Sequence, residues 1–148
     1  MRPGGWLLLL CGYLGLWQPL MLAAEVSATL GTLGMRGPAG VAELSAHAAV
    51  SAFAVAAGWG LWVGNPKAPV FAEIGLVACA LASVQSLYWT RLPLNTMPGD
   101  RLPLAIVAMA HAAGWITYLR KSRRVRSLFV SGEAEATSWL SSTRSPSP

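Results

Sequence analysis

Leu102-Pro103-Leu104-Ala105-Ile106-Val107-Ala108-Met109-Ala110-His111-Ala112-Ala113-Gly114-Trp115-Ile116-Thr117-Tyr118-Leu119 is eighteen residues long and carries no formal charge. Arg120-Lys121-Ser122-Arg123-Arg124-Val125-Arg126 follows at once, five cations in seven positions. As a helix, an apolar run of this length crosses most of a bilayer whose hydrocarbon core is about 30 Å thick. A cationic cluster at one end of such a run marks the cytoplasmic side. The stretch therefore gives a membrane span and its direction.

The rest of the chain has the composition to match. Hydrophobic residues make up 54%, charged residues only 11%, and mean hydropathy is +0.49. A soluble domain carries about 25% charged residues, so this chain lacks the polar surface to cover a core in water. The net charge of +5 does not point to nucleic acid, because six of the eleven Lys/Arg lie from Arg120 onward. None alternates with exposed aromatics on a soluble module. Cys11 and Cys79 both fall in apolar runs and read as small packing residues, not as a disulfide or metal framework.

Working outward from the fourth span, three more apolar runs precede it. Gly4 to Ala24 has no charge and reads as a retained first span (about 4–24). A signal peptide cut near Ala24 is the alternative. The run exceeds a usual signal core, and Leu22-Ala23-Ala24 is not an Ala-x-Ala site. Glu25 to Glu43, with Gly31, Gly34, Gly37 and Gly40 every third residue, reads as a flexible connector whose first part, Val26 to Leu33, can prolong the first helix.

The second span runs over about 44–63. Ala48, Ala52, Ala56, Gly60 and Gly64 recur at intervals of four, a small-residue face of the kind that lets helices approach closely, so Ala52, Ala56 and Gly60 are the expected packing residues. Trp59 and Trp62 suit the headgroup region at its end. Gly64-Asn65-Pro66-Lys67-Ala68-Pro69 is a tight turn. The third span covers about 70–89, with Glu73 expected in its first turn near Lys67, and Gly75, Cys79 and Ser83 forming a second small face. The fourth span covers about 102–119, with a basic helical extension to about 130 in which Val125, Leu128 and Phe129 lie on the interface. Residues 131–148 read as a disordered Ser/Pro-rich tail.

The expected fold is all-α: a polytopic membrane protein built as a four-transmembrane-helix bundle. Four spans put both termini and the Pro66 turn on one side. That side holds Arg2, Lys67, Arg120, Lys121, Arg123, Arg124, Arg126 and Arg144, against Arg36, Arg91 and Arg101 opposite. Eight cations against three place both termini in the cytoplasm.

Two end segments also resemble a family. Gly4-Gly5-Trp6-Leu7-Leu8-Leu9 with Pro19, and above all Trp115-Ile116-Thr117-Tyr118-Leu119-Arg120-Lys121-Ser122-Arg123-Arg124-Val125-Arg126 running on to Phe129, resemble the DUF2569 family of small bacterial integral membrane proteins. The resemblance implies four helices and a bacterial inner membrane. That family has no assigned function, so it implies no activity.

Polar side chains inside a bilayer are costly and are functional candidates by default. Here they are His111 in the middle of the fourth span, His47 and Glu43 near the start of the second, and Gln18 and Gln85 toward the outer ends of the first and third. Glu43 and His47, four apart, are expected to pair. Arg120, Lys121, Arg123, Arg124 and Arg126 form a membrane-surface anchor for anionic headgroups. No nucleophile–base pair, phosphate loop or Cys/His metal set is present in the sequence, so neither catalysis nor a cofactor is expected. The leading expectation is a non-enzymatic structural or interaction protein whose partner is another membrane protein or a second copy. The alternative is a small-solute or proton-coupled transporter or sensor using the intramembrane His and Gln residues.

Overall fold

A computed structural model describes residues 5–89, 97–123, 125–127 and 129. Among these there is no strand, and four helices are long and apolar enough to cross a membrane: Trp6–Thr29, Gly37–Val63, Ala68–Tyr88 and Arg101–Lys121. They are the first to fourth spans below. The expected tail at 131–148, Arg124 and most of the loop from Arg91 to Arg101 lie outside the described residues.

The first span is longer than the uncharged run and carries Glu25 inside it. It is α-helical over Trp6–Gly12, π-helical over Tyr13–Trp17 and α-helical again over Gln18–Thr29. Pro19 explains the interruption: it has no N–H for the carbonyl four residues back. The Gln18 N–H instead reaches the Tyr13 carbonyl, five residues away, closing a single wide turn.

The glycine-rich connector is not a flexible loop. A 3₁₀ turn over Leu30–Thr32 leads into helix, and the break falls at Gly37 alone, at φ 66° and ψ −170°. Only glycine adopts that conformation without strain. Pro38 then opens the second span, where its missing N–H costs nothing. Gly31 and Gly34 lie in helical backbone.

The second span packs with a different face from the expected one. His47, Ser51, Ala54, Ala57, Gly58 and Leu61 are buried, whereas Ala52 and Ala56 are exposed. In so alanine-rich a helix two small-residue stripes compete, and the inward one is the stripe that also carries His47 and Ser51. Gly58 is the closest approach: a Cβ there would sit 3.1 Å from Leu14 Cβ and 3.4 Å from the Cys11 carbonyl oxygen. Gly60, half-buried, meets Ala68 across the turn, at 3.2 Å by the same measure.

That turn is a Schellman motif. Gly64 has φ 80°, the Asn65 N–H reaches the Gly60 carbonyl at 3.0 Å, and the Gly64 N–H reaches that of Leu61 at 3.3 Å. The Asn65 side chain accepts from the Lys67 N–H at 3.0 Å and starts the third span. Ala72, Gly75, Leu76, Cys79 and Ala80 bury the inner face of that span.

The fourth span docks on the third through Ala105, Ala112 and Leu119, one buried residue every seven. Toward the first span it is held by rings: Trp6 and Trp115 meet at 6.4 Å, Tyr13 and His111 at 4.6 Å. Leu7, Leu10, Leu14, Leu61 and Leu76 make the densest part of the core. The outer surface is as apolar as the core, with Leu16, Val63, Ile106 and Val107 all exposed, as a lipid-facing surface requires and water would not permit.

The basic extension departs from expectation. The fourth span stops at Ser122, whose ψ of 117° is extended, and helical backbone resumes at residues 123, 125–127 and 129. Ser122 caps the new turn, its Oγ accepting from the Val125 N–H at 3.4 Å and its carbonyl from the Arg126 N–H at 3.2 Å. Val125 and Phe129 do not lie on the interface. They are buried against the leucine core, because the break at Ser122 turns the segment back across the end of the bundle.

Candidate functional site

Three spans each bring one polar residue to the same place. Glu25 of the first span puts Oε1 2.8 Å from Nδ1 of His47 on the second. His47 Nε2 lies 3.4 Å from Oγ of Ser86 on the third. Ser86 Oγ donates its own hydrogen to the Ala82 carbonyl at 2.9 Å, so toward His47 it acts as an acceptor and Nε2 carries a hydrogen. His47 Nδ1 then faces the Glu25 carboxylate at hydrogen-bond distance, the arrangement of an acid–base pair.

Beside this pair is a cavity of about 120 Å³ lined by Gln18, Glu25, His47, Ser51, Ser83 and Ser86 among others. At roughly 30 Å³ per water it holds a few waters or one small polar molecule. Its lining, with Glu25 and Ser86, lies toward the end of the bundle where the first and third spans finish. The five buried leucines of the core are not part of its lining.

A second cavity, about 580 Å³, is lined by the first, third and fourth spans. Cys79 and Ser83 border both cavities. Gln18 links them as well: it lines the smaller one, and its Nε2 donates to the Tyr13 hydroxyl, which lines the larger, at 3.1 Å. His111 lies in the larger cavity and accepts at Nε2 from Trp115 Nε1 at 3.0 Å.

No protein-family model, curated protein or solved structure matches the chain. The site is accordingly read from its own geometry.

Of the expected residues, His47 and Gln18 share the polar cavity, His111 lies in its neighbour, and Gln85 lines neither. The carboxylate that His47 Nδ1 meets is that of Glu25, not Glu43. Gln18 is mid-span, not near the outer end, because the first span continues to Thr29. Glu25 is hard to see in the sequence, because a charge at the edge of an apolar run looks like the end of a span. Its place seven residues after Gln18, on the same helical face, and the apolar residues beyond it are the signals that could have found it.

At the opposite end, Glu73 is not in the first turn of its helix and does not meet Lys67. It accepts a two-pronged contact from Arg120: Nε to both carboxylate oxygens at 3.1 Å, and Nη2 to Oε2 at 2.8 Å. This fork pins the end of the fourth span to the third. Lys121, Arg123 and Arg126 are exposed, and Arg126 also donates to the Arg120 carbonyl at 3.2 Å. Among the described residues no three of His, Cys, Asp or Glu gather as a metal site.

Proposed function

We propose that the chain is a non-enzymatic, multi-pass protein of the bacterial inner membrane, of the DUF2569 type, acting as a small-solute or proton-coupled transporter or sensor. The supporting observation is the Glu25–His47 pair, set within apolar helices and facing a polar cavity. An ionisable pair at that depth costs free energy that a purely structural bundle has no need to spend. With both termini cytoplasmic, as the charge bias argues, the polar cavity falls in the periplasmic half of the bundle.

Access and use are tested separately. With Cys11 and Cys79 replaced by alanine, Ser86→Cys and Ser51→Cys are expected to react with a membrane-impermeant thiol reagent from the periplasmic side only, and Leu76→Cys from neither. Reaction from the cytoplasmic side would reverse the threading, and no reaction at all would remove the hydrated site. In proteoliposomes holding a pH indicator, an imposed potential is expected to drive proton uptake that Glu25→Gln abolishes. Equal rates in protein-free vesicles would leave only a sensor.

A second reading, a structural or interaction protein, is favoured by the outward Ala52 and Ala56. Ala56 and Gly60 border a hollow of about 270 Å³ between Phe53 and Phe71, shaped to receive a helix of a partner or a second copy. An Ala56→Cys cross-link formed in native membranes would support that reading. The exposed Arg123 and Arg126 suit anionic lipid headgroups in either case.

A further inference from the structure

The larger cavity has a chemistry of its own, separate from the Glu25–His47 site. Its lining includes Trp17, Leu76, Leu104 and Val107 and contains no formally charged side chain. Its polarity comes down to hydrogens left over on one wall. An indole N–H only donates, so His111 Nε2 must accept from Trp115, and the neutral ring carries its hydrogen on Nδ1. The Tyr13 oxygen accepts from Gln18, which leaves the phenol hydrogen unspent. No acceptor among the described residues takes either hydrogen. The nearby Ser83 hydroxyl is already committed to the Cys79 carbonyl at 2.8 Å. Two spare donors, on rings 4.6 Å apart, therefore share a half-open apolar cavity, with His111 on its exposed side.

A donor without an acceptor in hydrocarbon is costly, and a ligand oxygen restores the missing hydrogen bond. The volume, about 580 Å³, is within the range of small-molecule sites. Depth narrows the ligand further. His111 is the eleventh residue of a 21-residue helix, about 15 Å from either end, so it sits at the bilayer centre. The ester carbonyls of phospholipids stay with their headgroups at the interface and do not reach it. The acceptor must belong to a compound dissolved in the hydrocarbon itself.

We infer that this cavity binds a lipophilic carbonyl compound with a planar, quinone-like head, its oxygen accepting from Tyr13 Oη and His111 Nδ1 and its ring lying against Trp17. Gln18, donating to the same Tyr13 oxygen, polarises that hydrogen toward the ligand and connects this site to the polar cavity.

The test uses the full chain in nanodiscs of ether-linked lipid, which contain no ester carbonyl. The probes are a decyl-substituted benzoquinone, decylbenzene, and a fatty methyl ester as the lipid-carbonyl comparison. The quinone is expected to bind saturably, at least ten-fold tighter than decylbenzene and tighter than the ester. Tyr13→Phe and His111→Phe should each weaken the quinone about 5- to 10-fold and leave decylbenzene unchanged. Equal affinity for quinone and decylbenzene, an ester that binds as well as the quinone, or no effect of either substitution overturns the inference. Should a substitution disturb both probes, the carbonyl stretch of quinone bound to the unaltered protein decides: a downshift supports the two hydrogen bonds, and an unshifted band overturns them.

Discussion

Glu25 and His47 form a contact that neither could sustain alone in hydrocarbon. Interhelical hydrogen bonds in membranes contribute about 0.6–2 kcal/mol, and removing one partner of a buried pair costs more than removing both. Glu25→Leu and His47→Leu are each expected to lower thermal stability in detergent, and the double substitution to lower it by less than their sum. A coupling near 1 kcal/mol in a double-mutant cycle is the expected value. Additive effects would mean that the 2.8 Å contact contributes nothing. His47 was legible in the sequence because an imidazole inside an apolar run stands out. Glu25 was not, since a charge at the edge of such a run looks like its end. The difference is one of helix length, which composition does not set: it was fixed by Val26 to Thr29 continuing the helix beyond the charge.

At the scale of the helix, the four spans were legible and their facing sides were not. Hydropathy reports how apolar a segment is, and in a bilayer the inside and outside of a bundle are equally apolar. Polar residues break that symmetry, and His47 with Ser51 marked the inner stripe of the second span. Gly58→Leu is expected to wedge the first and second spans apart at Leu14 and to destabilise strongly, whereas Ala56→Leu, facing outward, should change stability by less than about 0.5 kcal/mol. Thermal unfolding of the two variants side by side checks this, and the reverse order would restore the Ala52–Ala56 face as the packing side. The segment after Ser122 is a second case. Lys121, Arg123 and Arg126 are exposed there, while Val125 and Phe129 are buried in the protein. Phe129→Ala is expected to cost about 3 kcal/mol, the loss of a buried aromatic, where a residue resting on lipid would cost far less.

Across the whole molecule, the fourth span is the least embedded. It touches its neighbours through three small or aliphatic residues, two ring contacts and the Arg120–Glu73 fork. The fork lies at the Ser122 end of the fourth span and is largely exposed on the arginine side, so solvent screening keeps its contribution to stability small. Its effect is on register, since a slip of one turn would unpair it. Arg120→Gln is therefore expected to leave the overall fold intact while increasing hydrogen exchange at the Ser122 end of the fourth span. Unchanged exchange there would show that the ring contacts and the buried Ala105, Ala112 and Leu119 hold the helix without the fork. A reporter active only outside the cytoplasm should be silent after Pro148 and active between Gly31 and Gly40, and the opposite pattern would invert the bundle.

The Schellman turn at Gly64 has a consequence for how the protein is made. Only residues 64–67 separate the second span from the third, too few for one helix to settle while its partner waits in water. The two must enter the bilayer as a hairpin, already in contact through Gly60 and Ala68. His47 and Ser86 are then neighbours from the moment of insertion, before the first span has docked. Glu25 arrives later, on a helix synthesised earlier, and completes a half-built site. A ribosome that has finished Tyr88 has supplied every residue of the Glu25–His47–Ser86 site while the fourth span is still unmade.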